Sequence, residues 1–366
     1  MNPFYTTIPF TYNGLKDFSK YNEQVIRKIK HLNFVILRFG LLFSMLFAGN
    51  CVIAQSYYGI SGMAQVDAWP DETSTSYLVV HDHKYFSDLS TAKSPKDQDE
   101  VKRRNKAIAN YENRFGMVVI PDSKKTKTKS IYQSIIENWG KISKKANDIE
   151  SICKIPEKTN EFLALESGWK TFRRLFKISL RNISGHWMAD IEQIGQLPGD
   201  IKEVEAMSCI KAKGKDEYYL VVGTRIQPKV TNSIRWEKIK LTSGSFLFLT
   251  FNNGVDYKGV DDSEFPRIIS DFYVEPNGDF WISSTYDKGD AADDSDNGPF
   301  KSVVTLAGTI KKTSKFQIDL FKDPKTKYVI PTIKIEALGK AANDDAVISF
   351  GVDDEVYGGT IRQIFN

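Results

Sequence analysis

The sequence predicts an all-β chain folded as a single β-propeller of four-stranded antiparallel sheets, five blades in number, with six as the alternative. Three observations predict it. A short phrase, an acidic residue among small or apolar ones, precedes an apolar strand at Asp148-Ile149-Glu150-Ser151-Ile152 and at Glu203-Val204-Glu205-Ala206-Met207. It returns at Ile269-Ser270-Asp271-Phe272 and at Lys334-Ile335-Glu336-Ala337-Leu338. The spacing is roughly 55 to 65 residues, the period of a unit made of several strands. Between the phrases, apolar runs alternate with Gly, Asn, Asp and Pro turns, and helical periodicity is almost absent.

Taken in order, the chain of 366 residues begins with a segment read as a leader, 1–54. Phe39 to Ala48 form an apolar run preceded by Arg27, Lys28, Lys30 and Arg38. The run is roughly ten residues long, too short to span a bilayer comfortably, which suits a secretory signal. Val52-Ile53-Ala54 fits a small-residue cleavage site with Gln55 as the first mature residue, implying a periplasmic or secreted protein. An uncleaved anchor and lipid attachment at Cys51 are the alternatives, the latter disfavoured by Asn50 where a smaller residue is expected.

The mature part, 55–366, reads as one domain. Its first unit runs from Ile60-Ser61-Gly62-Met63 through Tyr77–Val80 and Met117–Ile120 to Ser130–Ile136, with an inserted segment at about 86–114 whose charged stretch Lys96–Glu112 reads as a surface helix. Ser61 stands where the other units have their acid. The second unit adds Arg173–Leu180 and His186–Ile194 as outer strands, the third Ser233–Leu241 and Ser245–Phe251, the fourth Ser302–Ile310 and Phe316–Phe321. The last has three obvious strands, ending in Gly358–Ile364, so that closure borrows the segment near Tyr57 and Tyr58 or the final blade is short. No linker interrupts the series, and each sheet has a face to bury on its neighbour.

Composition narrows the function classes. The formal charge of +4 resides in the leader, where Lys16, Lys20, Arg27, Lys28, Lys30 and Arg38 outweigh Asp17 and Glu23. A neutral mature chain lacks the basic field that nucleic acid binding requires, and no transmembrane span is expected in it. The run Lys124-Lys125-Thr126-Lys127-Thr128-Lys129 reads as a solvated hairpin tip. Cys153 and Cys209 follow the acids Glu150 and Glu205 at different offsets, three and four, so they point to opposite strand faces; a structural disulfide is the disfavoured alternative, and buried free thiols are the expectation.

Residues at one place in successive propeller units converge on the central axis, so Glu150, Glu205, Asp271 and Glu336 are expected to form a ring of carboxylates. Like charges at close quarters call for a cation, basic partners or protonation, and oxygen ligands of this kind suit Ca²⁺ or Mg²⁺. The plainer reading is that these acids cap backbone amides or bond to Arg and water. The second strands end in further polar residues: His81, Asp82 and His83, then Glu166, Arg225 and Asp287, with Asp353, Asp354 and Glu355 in the last unit. His81 and His83 share a face, but a third ligand at metal-site spacing is missing. The acidic loop Asp287–Gly298 lacks the closing Glu of an EF-hand, since the twelfth position counted from Asp293 is Val304. No nucleophile-elbow, nucleotide-loop or zincin motif is present.

The segments Asp148-Ile149-Glu150-Ser151-Ile152 with Phe162–Glu166, Ile269-Ser270-Asp271, and Asp353-Asp354-Glu355 with Gly358-Gly359 resemble the esterase-like or phytase-like propeller group of secreted bacterial proteins, including the SdiA-regulated relatives. The resemblance covers most of residues 60–366. It implies a propeller with a calcium-supported channel site and, in some members, phosphoester or ester hydrolysis. The long first-unit insertion and Ser61 depart from it.

Two functions follow. In the first, Glu150, Glu205, Asp271 and Glu336 ligate a divalent cation at the channel mouth, His81 or Glu166 serves as general base on a metal-bound water, and Arg225 and Arg362 stabilise anionic oxygen. In the second, the same mouth binds a partner without catalysis, through a peptide, glycan or envelope ligand. The expected ligand is a small anionic molecule or an envelope or extracellular partner, and the chain is expected to be a monomer.

Overall fold

The computed structural model describes residues 59–67, 74–81, 113–121, 130–167, 173–201, 203–224, 232–258, 268–286, 300–312, 315–324, 326–353 and 359–365. Every regular element among them is a β-strand. Blade 1 comprises β1 (Gly62–Gln65), β2 (Thr75–Val80), β3 (Phe115–Ile120) and β4 (Ile131–Ser134), in that spatial order. A short β5 (Ile136–Asn138) follows, then blade 2: β6 (Ile149–Lys154), β7 (Glu161–Glu166), β8 (Arg174–Ile183) and β9 (His186–Gln196). Blade 3 has β10 (Val204–Lys211), β11 (Glu217–Thr224) and β12 (Asn232–Lys240); the chain then makes β13 (Leu247–Phe248) before β14 (Asn253–Tyr257) completes that sheet. Blade 4 contains β15 (Ile268–Val274), β16 (Asp279–Tyr286), β17 (Lys301–Lys312), β18 (Phe316–Leu320) and β19 (Lys327–Pro331). Blade 5 has β20 (Ile335–Gly339), β21 (Ala346–Val352) and β22 (Ile361–Phe365).

The innermost strands β1, β6, β10, β15 and β20 neighbour one another in sequence order, and β20 returns to β1. The protein is therefore a five-bladed β-propeller. Two details differ from the strands expected of the sequence. Ser245–Phe251 is not the outer strand of blade 3, a place taken by β14; its β13 instead pairs in parallel with β9 of blade 2 at Leu247↔Gly195. In blade 4 the long β17 carries two outer partners, β19 along its first half and β18 along its second.

Alternating side chains explain how flat sheets become a ring. Each blade buries both faces, one on each neighbour, and the buried apolar residues form one cluster per seam. Ala64, Leu78, Phe162 and Phe176 join blades 1 and 2, and Leu163, Leu165, Met207 and Leu220 join blades 2 and 3. Val221, Ile234, Phe272 and Phe280 fill the next seam, Trp281, Val304, Leu338 and Phe350 the one after. Ile60, Met63, Tyr77, Val79 and Ala337 close the ring between blades 5 and 1. There Tyr77 Oη donates to Lys340 O at 2.5 Å, and burial pushes its phenol well up. A fully buried Phe or Leu contributes about 1.5–3 kcal/mol, so the seams dominate the stability of the ring.

Tight turns set the registers. Ser184 and Gly185 both have positive φ, 52° and 86°, the twist a two-residue hairpin needs between β8 and β9. Gly278, with φ 99°, lets β15 turn into β16 while its own carbonyl accepts from Ile310 N at 2.8 Å.

Candidate binding site at the start of the inner strands

Four of the five inner strands open with the same irregularity. The register between the first two strands of a blade slips between Ile149 and Ser151, Val204 and Ala206, Ile269 and Asp271, and Ile335 and Ala337. Two residues thus oppose one, a β-bulge, and the extra residue is Glu150, Glu205, Ser270 or Glu336. In blade 1 Gly62 pairs with Val80 while Ser61 N also donates to Val80 O, 3.1 Å, which puts Ser61 at the same place. The ring position is therefore Ser61, Glu150, Glu205, Ser270 and Glu336.

Asp271 stands one residue further on, level with Gly62, Ser151, Ala206 and Ala337. The expected four-carboxylate ring holds three glutamates at the bulge, and blade 4 contributes a hydroxyl there. Asp271 instead projects toward blade 5, where its Oδ2 accepts from Leu338 N at 2.7 Å. It is almost fully buried, and burial holds its carboxyl well above the usual carboxylate range.

The glutamates differ in their surroundings. Glu150 is buried, while Glu205 and Glu336 are half-buried. Lys334 lies between two carboxylates, 2.9 Å from Glu336 and 3.3 Å from the buried Asp353. Asp353 closes on the first blade: a Cβ added at Gly59 would fall 1.4 Å from Asp353 Oδ1, so any larger residue there would displace the Asp353 carboxylate.

His81 and Glu166 occupy equivalent places at the ends of β2 and β7, one residue past the strand partner of the bulge. Both are buried, at 1% and 0% exposure. The His81 ring is bonded at both nitrogens, Nδ1 to Gly59 O at 2.8 Å and Nε2 to Tyr132 Oη at 3.1 Å. Glu166 receives a two-pronged guanidinium: Arg174 Nε donates to Oε2 at 2.7 Å and Nη2 to Oε1 at 2.6 Å, while Asn147 N adds a bond to Oε1 at 2.7 Å. Arg225 lies outside the described residues, as do Asp82, His83, Asp287–Gly298, Asp354 and Glu355. Arg362 lies in β22, among the described strands the one of blade 5 farthest from the channel, and is exposed.

Sequence reasoning missed a pair of arginines. Arg114 and Arg174 each stand just before the residue, Phe115 or Leu175, that pairs with the bulge partner on the middle strand. Arg174 donates to the carbonyls of Lys144 and Lys145 at 3.0 and 3.2 Å, and Arg114 Nε to that of Ala146 at 2.9 Å. Two neighbouring blades thereby grip one loop. Glu137 finishes the clamp, accepting from the backbone of Arg114 and Phe115 and from Trp139 Nε1. The signal available was the repeated Arg opening a third strand.

Blade 4 replaces this ionic mouth with hydroxyls. Ser270 Oγ donates to Ser283 Oγ at 3.0 Å, Thr285 Oγ1 lies 2.8 Å from Ser302 Oγ and donates to Ile335 O, and Ser302 Oγ donates to Ile333 O while accepting from Ile335 N. Among the described residues the site thus has an acidic sector over blades 2, 3 and 5, and a neutral one at blade 4. Among the described residues no three His, Cys, Asp or Glu side chains are grouped closely enough to hold one metal ion. No helix among them is long and apolar enough to cross a membrane.

No protein-family description matches the chain, and no curated protein is similar to it in sequence. Among solved structures it is similar to the hemagglutinin-neuraminidase of parainfluenza virus 5, at 8% identity and a TM-score of 0.30, over 68% of this chain and 58% of that one. The chain thus spans little more than half the length of that protein. It is also similar to a protein named as a putative oxidoreductase (glucose dehydrogenase) from Thermus thermophilus, at 7% identity and a TM-score of 0.32, over 84% of this chain and 96% of that one.

Proposed function

We propose that the protein is a noncatalytic recognition propeller that takes a positively charged ligand, such as a basic peptide, at the end of the channel where the inner strands begin. One observation carries this reading: three blades place a glutamate at the same bulge position, Glu150, Glu205 and Glu336. Lys334 pairs with Glu336, and the remaining ring carboxylates, Glu150 and Glu205, share one sign in a cleft, which draws an opposite charge. Ester or phosphoester hydrolysis would draw on His81 and Glu166, and both are buried and engaged by neighbours. A bare Ca²⁺ or Mg²⁺ asks for several oxygens around one point, which the glutamates do not offer as a group; a longer cationic ligand can meet them in turn. The leader at 1–54 would deliver such a protein to the periplasm or beyond the cell, where basic segments of envelope proteins are available.

Calorimetric titration of the full chain with a Lys/Arg-rich peptide, an acidic peptide and CaCl₂ tests the proposal. The basic peptide is expected to bind, more weakly at high salt, and Glu150→Gln/Glu205→Gln should weaken it by about tenfold or more. Absence of basic-peptide binding at low salt, or binding indifferent to the double substitution, would overturn the proposal. Saturable calcium binding that the double substitution abolishes, with no peptide bound, would replace it with the cation site.

A further inference from the structure

Cys153 and Cys209 are the free cysteines among the described residues, and they lie in neighbouring inner strands, β6 of blade 2 and β10 of blade 3. Their strand parities differ. Cys153 lies two residues past Ser151, and side chains of that parity lean toward the next blade, as Asp271 does toward Leu338. Cys209 lies three residues past Ala206, on the opposite parity, and so faces back toward blade 2. Opposite parity in adjacent blades aims the two side chains at each other. Both belong to the single apolar cluster that fills this seam, at 8% and 7% exposure.

We infer that Cys153 and Cys209 form a redox pair that closes to a disulfide between blades 2 and 3, by exchange with a disulfide oxidant. One thiol loses its proton and attacks the oxidant's S–S bond, releasing one oxidant thiolate and leaving a mixed disulfide. The second thiolate attacks the protein sulfur of that bond and expels the other half of the oxidant. Two protein thiols are oxidised to one disulfide, the oxidant disulfide is reduced to two thiols, and the two protons pass to them or to solvent. The bond would join strands that the chain separates by the remaining three strands of blade 2, across a seam otherwise held by packing. Burial pushes the Cys153 thiol up, which makes closure slow near neutral pH and faster as pH rises. An oxidising compartment of the kind the leader implies would supply the oxidant.

The test incubates the folded full chain with excess oxidised glutathione at mildly alkaline pH. Readouts are thiol titration in denaturant, a non-reducing peptide map and the thermal midpoint. The third cysteine, Cys51, is followed separately in the map. Cys153 and Cys209 are expected to disappear together into one linked peptide pair without retained glutathione, and Tm should rise by roughly 5–10 °C, reversed by dithiothreitol. In Cys209→Ser, Cys153 should instead retain glutathione as a stable mixed disulfide. Persistence of both thiols in the wild type, a lasting glutathione adduct on either one, or linkage only between separate chains would overturn the inference. The wild-type map decides even where the variant folds poorly.

Discussion

Blades 2 and 4 share a backbone frame at the channel mouth and fill it differently. Where blade 2 has Glu150, Glu166 and Arg174, blade 4 has Ser270, Ser284 and Val303. The first solution buries full charges, which cost several kcal/mol each to desolvate and are tolerated because the Arg174 fork matches the Glu166 carboxylate on two bonds. Among the described residues the second solution is neutral. Its hydroxyls cluster, Ser270 donating to Ser283 and lying 3.3 Å from Thr285, which lies 2.8 Å from Ser302, and the acid of its inner strand, Asp271, lies one step off the ring and is held toward its protonated form. The bulge fixes geometry, and the chemistry placed on it is free to vary from blade to blade. One mouth can therefore keep an acidic sector for a ligand while another sector serves mainly to hold blades together.

The sharpest way to break this contrast is to remove one charge from blade 2. Arg174→Met leaves Glu166 buried and unbalanced, and the unfolding free energy is expected to fall by about 3–5 kcal/mol in denaturant titration. Adding Glu166→Leu to that variant should recover most of the loss. A double variant no better than the single one would show that the guanidinium's bonds to the 144–145 carbonyls, rather than the ion pair, carry the effect. Blade 4 should yield less to a comparable cut. Ser302→Ala removes the donor to Ile333 O and the acceptor for Ile335 N and should cost about 1–3 kcal/mol by the same measurement. A loss as large as that of Arg174→Met would erase the distinction between charged and neutral mouths.

Asp271→Asn is expected to have the smallest effect near pH 4 and a distinctive dependence above it. Because burial raises the folded-state pKa above the unfolded one, the folded protein holds a proton that the unfolded chain releases. Stability contributed by this group is full below the unfolded pKa and declines as pH rises toward the folded one. The slope is about 1.4 kcal/mol per pH unit between the two values. The asparagine variant should lack that slope and overtake the wild type as pH increases, as read from thermal midpoints across a pH series. Parallel profiles for the two proteins would mean that Asp271 is ionised in the fold.

The repeat was legible in the sequence because its cause is local. A β-branched residue, Ile60, Ile149, Val204, Ile269 or Ile335, immediately precedes the bulge in every blade, and it is buried in each. Aligning on acids, rather than on that apolar residue, shifted blade 4 by one position and enlisted Asp271 in the ring. An extra residue in a strand resets the side-chain alternation, and nothing in a linear pattern marks where the reset falls. Within one strand the opposite parities of Cys153 and Cys209 would mean separation. Across a seam between two blades, opposite faces mean approach. His81 and Glu166 were legible as polar strand ends, yet their engagement depends on Tyr132 and Arg174, partners on other strands. Arg362 was drawn to the site by its charge, although it lies on the third strand out from the channel in blade 5.

The parallel pairing of β13 with β9 bears on how the chain is made. Blade 2 finishes its own strands at Gln196, but Leu247 and Phe248, which cover part of the outer edge of β9, come from the far side of blade 3. On a ribosome adding roughly 5–20 residues per second, that edge waits about 3–10 s for its cover. An open strand edge is a template for pairing with another nascent chain. The crossing therefore links completion of the second blade to synthesis of the third, and a pause in translation between them would lengthen the interval in which neighbouring chains can pair through β9.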